Sequence, residues 1–205
     1  MKLETIYGEL LEIMKNDMDF TKALSLKEKL EKAIREETCY KTTSKTRVNG
    51  IKRVASKLET RPVLTGYGIW NDYKVVTDSY HLIAIYEDNM PLKLVTTDKE
   101  LANKVGKENC INGVYPNMDS IIRYDTSNEL PMFDLDELEY TYKLGKKDKD
   151  VLFKIGEQNF NPQFVKNIVD VLGKDLKLYY QGEFKPLFLV NDKNEIGLIL
   201  PIRIY

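Results

Sequence analysis

The chain has 205 residues, with 31 Lys and Arg against 32 Asp and Glu, and a single histidine. This length allows one generous domain or two small ones, and the near-zero net charge argues against a uniformly basic nucleic-acid-binding protein while leaving room for a local basic face. No long uncharged apolar run can span a bilayer, and the charged amphipathic start does not have the pattern of a signal peptide, so we expect a cytoplasmic protein without membrane contact.

Residues 1–38 have the pattern of a helical hairpin. Ile6, Leu10 and Ile13 fall on one helical face, and Ser25 with Glu28 forms a capping box for a second helix. We interpret this extension mainly as a packing appendage that covers a sheet or an edge. A partner-binding arm and an oligomerisation device remain as alternatives.

Residues 39–88 predict a first unit of one strand, one helix and three strands. The helix is expected to open at Asn49-Gly50 and to end before Pro62, which cannot continue it. Its expected apolar face comprises Ile51, Val54, Ala55 and Leu58. The predicted strands are Tyr40 to Ser44 before the helix, and Val63 to Trp70, Tyr73 to Val76 and Tyr80 to Tyr86 after it.

Residues 89–150 are predicted to form a connector with short helices. A helix is expected around Asp98 to Val105, followed by an extended, proline-containing stretch that includes Pro116 and Pro131. A second helix should turn Leu138, Tyr142 and Leu144 inward and end at Gly145.

Residues 151–205 repeat the order of the first unit. Val151 to Ile155 is a strand candidate, and Asn161-Pro162 is a helix start with Gly173 just after the end. Three strands should follow, at Leu176 to Tyr180, Pro186 to Val190 and Ile196 to Ile204. Each unit alone leaves a sheet face and a sheet edge uncovered, so we predict that the two units combine into one α+β domain over residues 39–205.

The first predicted helix lies in a strongly basic stretch. Its apolar face would direct Lys52, Arg53 and Lys57 away from the core. These cations are candidates for sequence-independent contacts to phosphates, and a solvated helix face is the alternative. The predicted DNA-binding residues are Lys45, Arg47, Lys52, Arg53, Lys57, Lys166 and Lys174.

Few residues indicate catalysis. His81 is the only histidine and has no serine or cysteine placed as a nucleophile nearby, while the acidic residues from Asp134 to Glu139 suit a helix start. No phosphate loop, dinucleotide fingerprint or zinc motif is present. We therefore expect a non-enzymatic protein with no cofactor and no metal, and regard an enzyme site around Asp78, Tyr80 and His81 as the weakest alternative.

Several short motifs together resemble the bacterial sliding clamp, the beta subunit of DNA polymerase III. They are Arg61-Pro62-Val63-Leu64-Thr65-Gly66, Val76-Thr77-Asp78-Ser79-Tyr80-His81-Leu82, Tyr115-Pro116-Asn117-Met118-Asp119-Ser120-Ile121-Ile122, Phe160-Asn161-Pro162 and Leu200-Pro201-Ile202-Arg203-Ile204. The chain departs from the family where Ser79-Tyr80-His81 replaces Gly-His-Arg and where Ser120 replaces an arginine. It also has material for little more than one of the three domains of a clamp protomer.

The resemblance implies a hydrophobic groove that receives short peptides of polymerases and repair proteins. The matching positions are Thr77, Ser79, Tyr80, His81, Leu82, Pro116, Ser120, Ile121, Leu198, Leu200, Pro201, Ile202 and Arg203. The same residues could instead close a core between the units. The resemblance also implies helices that face duplex DNA, and a small protomer would need several copies to form a ring.

Two functions therefore lead the expectations. The first is a minimal processivity factor or docking module of DNA replication or repair, which we expect to be encoded by a phage or mobile element. The second is an interaction protein that competes for clamp partners and no longer encircles DNA.

Overall fold

The computed structural model describes residues 45–58 and 60–203. The elements of the first unit are helix α1 (Lys45–Val54), a 3-10 turn (Pro62–Thr65) and strands β1 (Gly68–Trp70), β2 (Tyr73–Thr77) and β3 (His81–Ile85). The connector holds β4 (Leu94–Thr96), α2 (Lys99–Val105), a 3-10 turn (Lys107–Asn109), β5 (Cys110–Asn112), β6 (Glu129–Leu130) and α3 (Leu135–Gly145). The second unit comprises β7 (Phe153–Ile155), β8 (Gln158–Phe160), α4 (Pro162–Leu172), β9 (Leu176–Tyr180), β10 (Leu187–Asn191) and β11 (Ile196–Ile199).

One seven-stranded antiparallel sheet joins the two units. Its order is β1-β2-β3-β11-β10-β9-β6, so the last strand of each meander lies beside the other at the centre. In this register His81 is opposite Ile199 and Leu82 is opposite Leu198. The shared sheet removes the exposed edge that each unit would have alone, and it confirms the predicted α+β architecture.

One face of the sheet is covered by α1 and α4, which also pack against each other. The core on this side includes Ile51, Ile83, Phe160, Ile168 and Leu189, each fully buried. The opposite face is covered by the connector, whose Met118 and Ile122 pack with Leu82, Phe188 and Leu198. Because side chains alternate along a strand, neighbours such as Ile83 and Leu82 serve different cores.

The second unit begins its helix where the sequence predicts. The Asn161 side chain accepts a hydrogen bond from the Gln163 N–H, and Pro162 occupies the first turn, where no intrahelical donor is required. Gly173 ends the helix with a φ of 97°, a conformation that glycine adopts without strain. Asp98 caps α2 and Asp134 caps α3 in the same way.

The helix of the first unit differs from the prediction. It begins at Lys45 and ends at Val54, so Gly50 lies inside α1, buried against α4, and is not its opening. Leu58 lies beyond the helix and is 57% exposed, so its assignment to the apolar face was wrong. The close approach of α4 explains the first difference, because it favours a glycine inside α1, where an added Cβ would meet Val171.

Other elements also differ from their predicted boundaries. The stretch predicted as one strand from Val63 to Trp70 is a 3-10 turn followed by the short β1. Two small sheets were missed, the parallel pair β4 and β5 and the hairpin of β7 and β8. The last strand ends at Ile199 and not at Ile204. The predicted hairpin of residues 1–38 and the strand from Tyr40 to Ser44 lie outside the described residues.

Candidate functional site

The turn between β2 and β3 is organised by the carboxylate of Asp78. Its Oδ1 accepts hydrogen bonds from the N–H groups of Tyr80 (2.8 Å) and His81 (3.0 Å), and lies 2.9 Å from His81 Nδ1. Burial alone would raise the pKa of Asp78, but the hydrogen bonds from His81 and Tyr80 outweigh it and lower the pKa below its ordinary value. The turn, with Ser79 at a φ of 83°, leaves Tyr80 60% exposed.

His81 is not at the surface. Its side chain is 1% exposed, its ring stacks on Phe164 with 4.3 Å between centroids, and its Nε2 lies 3.3 Å from Nδ2 of Asn167. An amide therefore occupies the position that a nucleophilic hydroxyl would need for the imidazole to act as its base. This geometry speaks against the enzyme alternative.

The segment after β11 continues along the surface next to this turn. The N–H of Leu200 donates to the carbonyl of Tyr80 (2.9 Å), and that of Ile202 donates to the carbonyl of Asn159 (2.8 Å). Leu200 and Ile202 are each 37% exposed although their backbone is held in place. Pro201, between them, is half-buried.

The loop between β9 and β10 reaches the end of this segment and adds an exposed aromatic ring. The Arg203 guanidinium lies 5.7 Å from the ring centroid of Phe184, which is 53% exposed. The loop is tied to β8 because Gln158 Nε2 donates to the Gly182 carbonyl (3.1 Å). We call Tyr80, Leu200, Ile202 and Phe184 the apolar strip. Sequence reasoning missed Phe184; the only signal was an aromatic residue in an otherwise polar turn.

Besides His81, three of the predicted groove residues lie beneath the surface. Thr77, Leu82 and Leu198 are 7%, 2% and 4% exposed. Thr77 is opposite Leu82 in the sheet, and Leu82 is opposite Leu198. They form part of the core under the connector, as the alternative interpretation of these residues expected, and only their neighbours are exposed.

The connector contributes exposed side chains at Pro116, Ser120 and Ile121. It is fixed over the sheet because the Tyr115 hydroxyl accepts a hydrogen bond from the Thr77 N–H (3.1 Å) and the Asp119 carboxylate accepts one from the Trp70 indole (2.8 Å). Burial raises the pKa of the Tyr115 phenol.

Arg47 is the clearest departure on the basic face. Its guanidinium lies 2.6 Å from Glu195 and 3.3 Å from Glu87, and it also donates to the Val171 carbonyl. The side chains of Arg47 and Glu195 are 16% and 1% exposed. Arg47 therefore joins α1 to the second unit, and the guanidinium that was predicted to contact DNA is mostly buried and paired with carboxylates distant in sequence.

Two further predicted cations have partners within the fold. Arg53 and Lys166 both form ion pairs with Asp170, and Lys166 also lies 3.8 Å from Glu139. The Arg53 side chain is still 36% exposed, against 20% for Lys166. The net positive charge of this face is therefore smaller than the sequence suggests.

The remaining predicted cations are exposed. Lys45 and Lys52 lie on α1, Lys57 lies beyond its end, and Lys174 follows the cap of α4. Within residues 45–58 and 60–203, no group of three or more His, Cys, Asp and Glu side chains is arranged to hold a metal ion. In the same part of the chain, no helix is long and apolar enough to cross a membrane.

The paired units and their helix-covered sheet define a clamp-type α+β domain. Comparison with solved structures makes this specific: the chain has the fold of the bacterial sliding clamp, the beta subunit of DNA polymerase III. No family model matches the sequence, and no curated protein matches it.

Three solved clamps illustrate the likeness. The DNA polymerase III beta chain of Streptococcus pneumoniae is 16% identical, with a TM-score of 0.53 and coverage of 78% of this chain and 62% of that one. The Bartonella birtlesii clamp bound to griselimycin is 14% identical, with a TM-score of 0.52 and coverage of 78% and 64%. The Helicobacter pylori clamp bound to a DNA ligase peptide is 13% identical, with a TM-score of 0.53 and coverage of 77% and 62%. The chain thus spans less than two thirds of these clamps.

Proposed function

We propose that this chain is a non-enzymatic, clamp-like protein of DNA replication or repair that docks short partner peptides on the apolar strip. The observation that carries the proposal is the segment from Leu200 to Arg203, whose backbone is fixed by two hydrogen bonds while Leu200 and Ile202 remain partly exposed beside Tyr80. A preformed apolar surface binds a peptide at low entropic cost, because the site does not have to order first. The Helicobacter pylori clamp bound to a DNA ligase peptide supports this type of partner.

The chemistry of the strip favours a peptide with apolar or aromatic anchors. Leu200 and Ile202 offer aliphatic contacts, while the exposed rings of Tyr80 and Phe184 offer flat faces. The buried Leu82 and Leu198 pack under the connector and are not direct contacts in this proposal. We expect a few anchor residues of the peptide to supply most of the affinity.

The direct test is a titration with a fluorescent DNA ligase peptide of the kind bound by the Helicobacter pylori clamp. Replacing Ile202 by Glu should weaken binding by roughly 30-fold, the effect of losing an interface anchor worth about 2 kcal/mol. Val114→Glu is a matched control, since it adds the same charge at an aliphatic residue that is 77% exposed in the loop after β5. Absence of binding by the unaltered protein, or equal loss in both variants, would contradict the proposal.

A second candidate activity is weak, sequence-independent contact with duplex DNA. It is supported by Lys45, Lys52 and Lys57, which are exposed on or next to α1. Its expected strength is modest, because Arg47 lies in a buried ion-pair cluster and Arg53 and Lys166 are paired with Asp170. These engaged cations favour a docking module or a competitor for clamp partners over a protein that grips DNA tightly.

This activity is tested by the dependence of DNA affinity on salt. Lys52→Glu and Lys57→Glu together should weaken binding and reduce the salt slope by about one for each lysine, because each releases one phosphate contact. Lys104→Glu, at an exposed site on α2, should leave the slope unchanged. Light scattering then separates the roles: a ring requires several copies, whereas a strict monomer that binds the peptide would act as a competitor.

A further inference from the structure

A continuous chain of polar side chains crosses the domain from α1 to the turn that carries Tyr80. Arg53 Nε donates to Asn167 Oδ1 (2.8 Å), and Asn167 Nδ2 lies 3.3 Å from His81 Nε2. His81 Nδ1 lies 2.9 Å from Asp78 Oδ1, which also accepts from the Tyr80 N–H. We call Arg53, Asn167, His81 and Asp78 the polar relay.

The guanidinium of Arg53 determines which atoms of the polar relay carry a proton. A guanidinium has donors and no acceptor, so the oxygen of Asn167 must face Arg53 and the NH₂ group must face His81. Nε2 of His81 must then accept and has no proton. The proton lies on Nδ1, which donates to Asp78, so the imidazole is neutral in this arrangement.

Burial gives this arrangement consequences. His81 and Asn167 are 1% and 6% exposed, so a donor or acceptor left without a partner there is costly. The groups that face His81 are few: Asp78 on its own turn, Phe164 and Asn167 on α4, and the apolar Ile199 opposite in β11. The charges linked to these groups are Arg53, Asp170 and Lys166, on the other side of Asn167, and Arg61, which donates to Ser79.

We propose that Asn167 is a positioning residue that couples the placement of the Arg53 guanidinium to the protonation of His81, and thereby to the turn that carries Tyr80. A phosphate that draws the partly exposed Arg53 away releases the Asn167 oxygen. The amide can then rotate and accept from Nε2 of His81, which takes up a proton from solvent. The resulting imidazolium forms a charge-assisted hydrogen bond with Asp78 and holds the turn more firmly.

The coupling deepens the proposed function and rests on it, because the turn holds one end of the apolar strip. A backbone phosphate on the helix face would pre-organise Tyr80 for peptide docking. The DNA-bound protein would then bind the peptide more strongly than the free protein does. The coupling arises because the Asn167 oxygen accepts from Arg53 or from His81, but not from both at once.

The single histidine of the chain makes the test clean, since ¹⁵N labelling of histidine gives one imidazole, provided that any purification tag lacks histidine. In the unaltered protein at neutral pH, the ¹⁵N shifts should report a protonated Nδ1 and an unprotonated Nε2. Arg53→Gln should raise the imidazolium population roughly ten-fold, the equivalent of one redirected hydrogen bond of about 1.4 kcal/mol. Lys52→Gln, which removes a neighbouring charge outside the polar relay, is the matched control and should leave the spectrum unchanged.

Asn167→Asp provides a second, independent variant. Its carboxylate offers only acceptors to His81, so the imidazolium form should dominate without any ligand. A proton on Nε2 in the unaltered protein, or the same spectrum for Arg53→Gln and Lys52→Gln, would overturn the coupling. Adding a short duplex DNA to the unaltered protein should shift the signals in the direction of Arg53→Gln. If DNA does not bind while Arg53→Gln still shifts the signals, the polar relay stands and only the proposed DNA contact fails.

Discussion

The two units of this domain share an order of elements but not a degree of burial. In the second unit every residue of β10 and β11 is buried, and α4 contributes seven buried residues. In the first unit, α1 buries only Gly50, Ile51 and Val54, and the edge strand β1 has one buried residue. The second unit therefore contributes more of the buried apolar residues, while the first provides the exposed cations of α1 and the turn with Tyr80.

The largest expected effect comes from breaking the ion-pair cluster that joins the units. Glu195→Ala removes the carboxylate that accepts from Arg47, Tyr86 N–H and Asn191, and leaves the Arg47 charge buried beside Glu87. We expect the free energy of unfolding to fall by about 3–5 kcal/mol, measured by chemical denaturation. The double variant Arg47→Met, Glu195→Leu should recover much of this loss, and a loss as large as that of the single variant would show that packing and not charge holds the joint.

Alanine substitutions at the two glycines that pack against α4 should lower the stability by smaller and unequal amounts. A Cβ at Gly197 would lie 2.4 Å from Ile168 Cγ2, and one at Gly50 would lie 2.7 Å from Val171 Cγ2. Gly197→Ala should cost about 1–3 kcal/mol through overpacking. Gly50→Ala should cost less, because alanine gains about 1 kcal/mol over glycine within a helix. Thermal unfolding of both variants checks the order, and a more damaging Gly50→Ala would mean that the first unit is packed more tightly than its burial suggests.

The smallest expected effect concerns the connector and depends on pH. Tyr115→Phe removes the acceptor of the Thr77 N–H and should cost about 1 kcal/mol at neutral pH. Burial raises the pKa of Tyr115, so the folded state keeps this proton after the unfolded chain has lost it. The stabilisation is complete below the ordinary tyrosine pKa of about 10 and decreases as pH rises above it. The variant should therefore lose less stability than the unaltered protein between neutral and alkaline pH; parallel curves would show that the Tyr115 proton makes no difference.

The second unit was also the part most readable from sequence. Asn161, Pro162 and Gly173 are local signals, and α4 follows them because caps act within one turn of the chain. Gly50 led to a wrong start for α1. The glycine allows α4 to approach closely, and no local sequence pattern reveals that contact. The order of residues along the chain shows which residues are close to the site in sequence. It does not show which of them the folded sheet buries.

The candidate site could also be predicted only in part from the sequence. The resemblance placed His81 and Leu82 together in a groove, yet alternation along β3 directs one toward the helices and the other toward the connector. Tyr80, Leu200 and Ile202 do remain exposed. Arg47 was assigned to DNA because the charge run is visible in the sequence, whereas its partners Glu87 and Glu195 become neighbours only in the folded chain.

The seam between β3 and β11 also bears on how the protein is made. Its strands come from the early and late parts of the chain, and β11 is the last of the described strands, so the middle of the sheet stays open until that segment has left the ribosome. Closing such a distant pairing is slow compared with forming a local hairpin. Until then, β3 presents an unpaired apolar edge during synthesis, the kind of surface that chaperones protect from aggregation.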